Sequence, residues 1–270
     1  MIKIIWLTFF ALIVGCSTGR NFPKKNVCFL VYDMQLETYV TKFNTSYCKK
    51  QLPAASTFKI PLSLMAFDSD ILKDEKTSFT WDRKSHFLES WNRDQTAETW
   101  MKESVVWVSQ QITPKLGAEK ISEYLKSFEY GNQDMSGGLT TAWLTPSPTN
   151  GEKAENSLKI SGYEQVEFLR KLYTNKLKVS PHAMEMTKKI LPKEVNPPHR
   201  ILAGKTGSGF MDPEQTIRVG WYVAHLTVGL KQYIVVTNFI DTAEVPQPRS
   251  FGGHEARELT KQLLVEKDLW

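Results

Sequence analysis

The sequence predicts an α+β fold: an antiparallel β-sheet formed by the N- and C-terminal parts of the chain, flanked by helices, with an all-helical lobe inserted between them. Three observations lead there. Runs of β-branched and aromatic residues stand near both ends, the long middle carries helix patterns with marked starts, and the last residues form an amphipathic helix. With 270 residues, 41% hydrophobic and 23% charged, the composition is that of a globular protein long enough for a large core.

Residues 1–20 come first and read as an export signal: Met1, Ile2 and Lys3, then the apolar run "IIWLTFFALIVG", then Cys16. That run is too short to span a bilayer comfortably. The "IVGC" at Ile13 to Cys16 resembles a bacterial lipobox, whose cysteine would be lipidated and become the first mature residue; cleavage near Ser17 to Gly19 is the alternative. Both readings take the mature protein out of the cytoplasm. Beyond Cys16 only Cys28 and Cys48 remain, either a disulfide in a permissive compartment or two buried thiols.

"VCFLVYD" and "TYVTKF" then read as a β-hairpin. From Pro53 to Leu191 the patterns are mostly helical, punctuated at Pro114, at Gly137 and Gly138, and across "TPSPTNGEKAEN" from Thr145 to Asn156. Ser161 and Glu164 have capping-box spacing, and Ser180 followed by Pro181 marks another helix start. After "NPPHR", three strand-like runs, "ILAGKTGSGF", "IRVGWYVAHLTV" and "KQYIVVTNFI", are close enough to form an antiparallel meander, and "GHEARELTKQLLVEKDLW" closes the chain as a helix.

The formal charge of +5 comes from scattered lysines with no like-charge block, which argues against nucleic-acid binding. His86, His182, His199, His225 and His254 show no ligand spacing, so no metal site is expected.

In "LPAASTFKIPLSLMAFD" a hydroxyl, Ser56, precedes an amine, Lys59, by three residues at the start of an apolar helix. Residues three apart on a helix have Cβ atoms about 5–6 Å apart, so the two side chains meet. A serine hydroxyl needs a neighbouring base to become a nucleophile, and a lysine serves once burial suppresses its charge. A helix opening at Ser56 would add unpaired first-turn amides suited to an oxyanion, and Pro61 is tolerated in the first turns. Alone, a serine N-cap with a lysine one turn on is common decoration.

The pair has company: Ser104 and Val106 in "KESVVWV", Tyr130, Gly131 and Asn132 in "FEYGNQD", and Lys205, Thr206 and Gly207 in "AGKTGSGF". Each is weak by itself. The order S-x-x-K, S-x-V, Y-G-N, K-T-G, with K-T-G on a strand, resembles the class D β-lactamases, the oxacillinases, relatives of the enzymes whose set is S-x-x-K, S-D-N and K-T-G. The likeness runs from the hairpin before Ser56 to the last helix. It implies one catalytic domain over residues 21–270, with the helical lobe over roughly residues 70–190, and hydrolysis of oxacillin-type penicillins and some cephalosporins.

By matching position, the resemblance implies Ser56 as the nucleophile and Lys59, as N-carboxylysine formed with carbon dioxide or bicarbonate, as the base. No other cofactor is implied. Trp143 would hold the carbamate, Ser104 would relay a proton to the departing nitrogen, and Val106 would help keep the lysine pocket dry. Lys205 and Thr206 would bind the substrate carboxylate, Gly207 would let the strand approach the substrate, and the N–H groups of Ser56 and Ser208 would form the oxyanion hole. Arg257 or Arg249 would complete carboxylate binding. The implied partners are small-molecule β-lactams and no nucleic acid, with a lipidated Cys16 as the one membrane attachment; oligomeric state is not readable.

Export and family together place the protein in the periplasm of a Gram-negative bacterium. One departure stands out: relatives place a Ser-Leu-x-Ile-Ser run soon after the tryptophan, whereas here the long "LTPSPTNGEKAEN" separates Trp143 from "SLKIS", either bulging outward or reshaping the cleft wall. A transpeptidase or a β-lactam sensor would use the same motifs. The sensor reading calls for a membrane-spanning signalling segment, and the transpeptidase reading for extra domains.

Overall fold

The computed structural model describes residues 22–145, 157–212, 214–244 and 250–270. The export signal with Cys16, most of the long loop after Trp143, and Arg249 therefore lie outside the described residues.

The chain opens with strands β1 (Lys25–Asp33) and β2 (Thr38–Phe43), the expected hairpin, followed by a short helix α1 (Thr45–Cys48) and strand β3 (Leu52–Pro53). A 3-10 turn, Ala55–Phe58, leads into α2 (Lys59–Asp68). The helical lobe contains β4 (Ser78–Phe79), β5 (Gln95–Thr96), α3 (Ala97–Glu103), α4 (Val106–Leu116) and α5 (Ala118–Phe128). Strand β6 (Lys159–Ile160) precedes α6 (Gly162–Tyr173) and α7 (Pro181–Ile190). The chain then returns through β7 (Lys193–Asn196), β8 (Arg200–Phe210), β9 (Arg218–Val228), β10 (Lys231–Asp241) and α8 (Gly252–Val265).

Six strands form one antiparallel sheet in the order β2-β1-β10-β9-β8-β7. The meander and the N-terminal hairpin thus join, with Lys25 opposite Asp241, as the pattern at the two ends predicts. Alternation divides the core. Val27, Phe29 and Val31 face α8 and pack with Leu263 and Leu264, whereas Cys28 and Leu30 face the helices on the other side. Both faces are covered, so β1 reads as an almost unbroken apolar run. Cys28 on β1 and Cys48 on α1 form a disulfide with Cα atoms 5.0 Å apart, which settles the alternative left open by sequence.

Helix α2 is buried from Lys59 through Phe67, which explains why its sequence has no polar face. The predicted caps form: Ser161 and Glu164 make a capping box, and Ser180 Oγ accepts from the Ala183 N–H with Pro181 in the first turn. Pro114, read as punctuation, lies inside α4, which runs on to Leu116 before Gly117 ends it.

The Y-G-N segment braces the approach to Ser56. Asn132 N–H donates to Lys159 O at 3.0 Å, Asn132 Oδ1 accepts from Lys159 N–H at 2.9 Å, and Asn132 Nδ2 donates to Ser157 O at 2.7 Å. These bonds hold β6, which pairs with β3 just before the 3-10 turn. Gly131 has φ +54°, and a Cβ there would lie 2.0 Å from Lys159 O. Substitution Gly131→Ala therefore combines a left-handed backbone with a backbone clash; it is expected to cost at least about 2 kcal/mol, lowering the unfolding midpoint by roughly 4–8 °C in a thermal melt.

Candidate active site

The helix expected to open at Ser56 opens instead as the 3-10 turn, and α geometry begins at Lys59. Pro61 is the physical reason: it has no N–H to give Thr57, four residues back, so the first turn tightens and Lys59 N–H donates to Ser56 O. The side chains still meet. Ser56 Oγ lies 3.2 Å from Lys59 Nζ, with the serine half-buried and the lysine fully so. Burial drives the Lys59 pKa well below the ordinary lysine value, and the nearby Lys205 charge adds to the effect. A neutral amine beside a hydroxyl is a base beside a nucleophile.

Ser104 ends α3 with φ +59°, turning the chain into α4. Three indoles lock this corner: Trp91 Nε1 donates to Glu103 O at 2.9 Å, Trp107 Nε1 to Trp91 O at 3.1 Å and Trp100 Nε1 to Ser109 Oγ at 3.0 Å. Across from it on β8, Lys205 Nζ donates to Ser104 Oγ and Thr206 O, each at 2.9 Å. Burial pulls the Lys205 pKa down to about 7. Two serine–lysine pairs thus adjoin, each a buried lysine beside a half-buried serine.

The edge of β8 completes the cleft. Gly204 N–H donates to Pro192 O and Phe210 N–H to Thr145 Oγ1, each at 3.0 Å, both away from β9. Strand alternation turns the Thr206 and Ser208 amides the same way, beyond the end of β7 pairing at Ala203. Ser208 Oγ accepts from Gly253 N–H at 2.9 Å, so that side chain anchors α8 while its amide faces the open edge. Gly207 meets a further constraint. A Cβ there would lie 3.1 Å from Thr57 Cγ2 and 3.2 Å from Trp221 Cβ, so the missing side chain makes room for the Ser56 turn.

Trp143 is fully buried and stacks on Phe58, the residue before Lys59, with ring centroids 5.1 Å apart. Its Nε1 has no hydrogen-bond partner among the described residues.

Comparison with known proteins bears on this arrangement. The penicillin binding protein transpeptidase domain family matches residues 24–265. The chain is 46% identical over 201 residues to the β-lactamase OXA-1 of Escherichia coli, covering 72% of this chain and 68% of that one. It is 35% identical to OXA-48 of Klebsiella pneumoniae over 216 residues, 80% of this chain and 74% of the other. The solved structure of the class D β-lactamase BAT-2 superposes with a TM-score of 0.78 at 30% identity, covering 91% and 93% of the two chains. The chain belongs to the class D β-lactamases.

Not every expected residue of this β-lactamase joins the Ser56 group. Val106 opens α4 half-buried, and the fully buried residue at that corner is Val105. Arg257 on α8 points to carboxylates, its Nε 3.5 Å from Glu194 Oε1 and 3.2 Å from Glu258 Oε1. Its neighbour His254, which sequence reasoning passed over, senses both Arg257 and Lys205, and burial followed by those charges lowers its pKa. Thr145 follows just after Trp143, and a Cβ on Gly209 would overlap it, so the glycine lets Thr145 cap the Phe210 amide at the end of the β8 edge. The loop's return is fixed where Leu158 N–H donates to Ala142 O at 3.0 Å.

The Lys205 shift has a thermodynamic consequence. Its pKa falls from 10.5 to about 7 on folding, so between those values the unfolded chain binds a proton that the folded enzyme lacks, and stability contributed by this site rises with pH. In denaturant titrations from pH 7 to 9.5, the enzyme should gain stability relative to Lys205→Met by up to about 1.4 kcal/mol per pH unit.

Proposed function

We propose that this enzyme hydrolyses the β-lactam amide of oxacillin-type penicillins and some cephalosporins through an acyl-enzyme on Ser56, with Lys59 as general base in its N-carboxylated form. The observation that carries this reading is the 3.2 Å approach of Ser56 Oγ to a fully buried Lys59 Nζ whose pKa is driven far down.

The residues present fit carboxylation. Only a neutral amine adds to carbon dioxide, and burial keeps Lys59 neutral. Trp143 Nε1, buried and unpaired among the described residues, is a donor suited to a carboxylate oxygen on that lysine. When formed, the carbamate supplies an anionic oxygen base for both half-reactions.

Ser56 Oγ attacks the lactam carbonyl carbon as its proton passes to the Lys59 side chain, and the Ser56 and Ser208 amides receive the developing oxyanion. The C–N bond then breaks. Ser104 Oγ gives its proton to the ring nitrogen and recovers one from Lys205 Nζ, 2.9 Å away. The proton left at Lys59 passes to solvent, from which Lys205 recharges. A water that gives a proton to Lys59 then attacks the ester, and Ser56 leaves with that proton.

Lys205 and Thr206, with Arg257 or Arg249, take the substrate carboxylate, while Val106 and Val105 help exclude water from the lysine. The disulfide and the export signal fit work in the periplasm of a Gram-negative bacterium, where the activity would confer β-lactam resistance; a lipidated Cys16 would be the membrane attachment.

Steady-state hydrolysis of oxacillin and a chromogenic cephalosporin, with and without bicarbonate, tests the reading. Bicarbonate should raise turnover by the parent, and Lys59→Ala should form a stalled acyl-enzyme visible as a mass adduct on Ser56. Lys59→Ala turning over at the parent rate, or a parent that acylates once and stops, would overturn it.

A further inference from the structure

The turn that carries Ser56 is strained. Ala55 has φ +47°, a left-handed conformation that costs a non-glycine residue on the order of 1–2 kcal/mol. Such a residue persists only where its surroundings fix it.

On one side the fixing is by backbone and indole: Ala54 N–H donates to Leu158 O at 3.2 Å, and Trp221 Nε1 donates to Pro53 O at 2.9 Å. On the other side it runs through side chains. Thr57 Oγ1 donates to Ala54 O at 2.5 Å, alongside the Thr57 N–H at 3.2 Å. A hydroxyl has one proton. Once Thr57 gives its proton to Ala54 O, the oxygen can only accept, and the donor that meets it is Gln165 Nε2 at 3.0 Å, from α6.

Both side chains are buried, with Thr57 at 0% and Gln165 at 1% exposure, and the capping box of α6 fixes the helix one residue before Gln165. The Tyr130 hydroxyl lies against the same two side chains without a well-formed hydrogen bond of its own. Among the described residues, Gln165 Nε2 is the donor with a well-formed hydrogen bond to Thr57 Oγ1.

We propose that Gln165 is a positioning residue for acylation: by donating to Thr57 Oγ1 it forces that hydroxyl to donate to Ala54 O, and so sets the backbone of Ala55 and the aim of both the Ser56 hydroxyl and the Ser56 amide. It touches no reacting atom. A misplacement of about 1 Å at a nucleophile can cost on the order of a hundredfold in rate, so the effect belongs in the chemical step and not in substrate capture. The inference rests on the reading of Ser56 as the nucleophile.

The test is single-turnover acylation by a penicillin, with rates normalised to the titrated number of reactive sites and read as saturating rate against half-saturating concentration. Gln165→Leu and Thr57→Val should each slow the saturating rate by about tenfold to a hundredfold with the half-saturating concentration within about threefold, and the double variant should be no slower than either single one. Thr57→Ser, which keeps the hydroxyl, should stay within about threefold of the parent. A role in folding alone would lower the titrated fraction and leave the normalised rate unchanged.

Parent-like acylation by Gln165→Leu, or a double variant slowed by the product of the two single effects, would overturn the inference. Should Gln165→Leu fail to fold, Thr57→Val against Thr57→Ser decides, equal rates overturning it. Ser56→Ala separates the two levels: acylation surviving there sinks the nucleophile assignment, whereas its loss there with Gln165→Leu unaffected sinks only the coupling.

Discussion

A primary amine without accessible surface is the constraint on which this molecule turns. Charged, Lys59 would cost several kcal/mol in its apolar surroundings; neutral, it is tolerated and becomes a base. The wholly buried α2 holds that amine dry, and it has no polar face because α7, α4, α5 and the 3-10 turn pack against it. Lys205 repeats the device less severely. Burial lowers its pKa to about 7, its amine donates to Ser104 and Thr206, and its charge pushes Lys59 further toward the neutral form.

Holding the serine against that lysine takes a second layer. Residues of the Y-G-N segment grip β6, β6 pairs with β3, and β3 delivers the chain to a left-handed alanine directly before Ser56. From the sheet side, the missing side chain at Gly207 lets Thr57 and Trp221 close on the same turn. The disulfide ties α1, and with it the approach to β3, onto β1. Much of what a motif scan would assign to substrate contact is spent on orienting one short turn.

What the sequence revealed follows the range of the interactions. Ser56 with Lys59, and Lys205 with Thr206, are neighbours within one turn or one strand, so spacing exposes them. The hairpin, the meander and the last helix carry period-two or helical patterns, and the caps at Ser161 and Ser180 are local. By contrast β7 has one apolar residue in four, and the β3–β6 and β4–β5 ribbons are two residues long, too short for any periodic signal. The 3-10 opening of α2 was hidden although Pro61 foreshadows it. The ordered motif resemblance, not residue pattern, brought Ser104 to Lys205, and nothing local links Gln165 to Thr57 across 108 positions.

The interleaving of the sheet also sets an order of events during synthesis. Strand β1 emerges early, yet one of its two neighbours is β10, made near the end. Until then an apolar strand that both faces of the finished protein bury stands with one edge unpaired, a template for wrong partners. Closure of the ladder between the earliest and latest strands is therefore a non-local step that no early fragment can complete, and a nascent chain interrupted before β10 keeps that edge exposed.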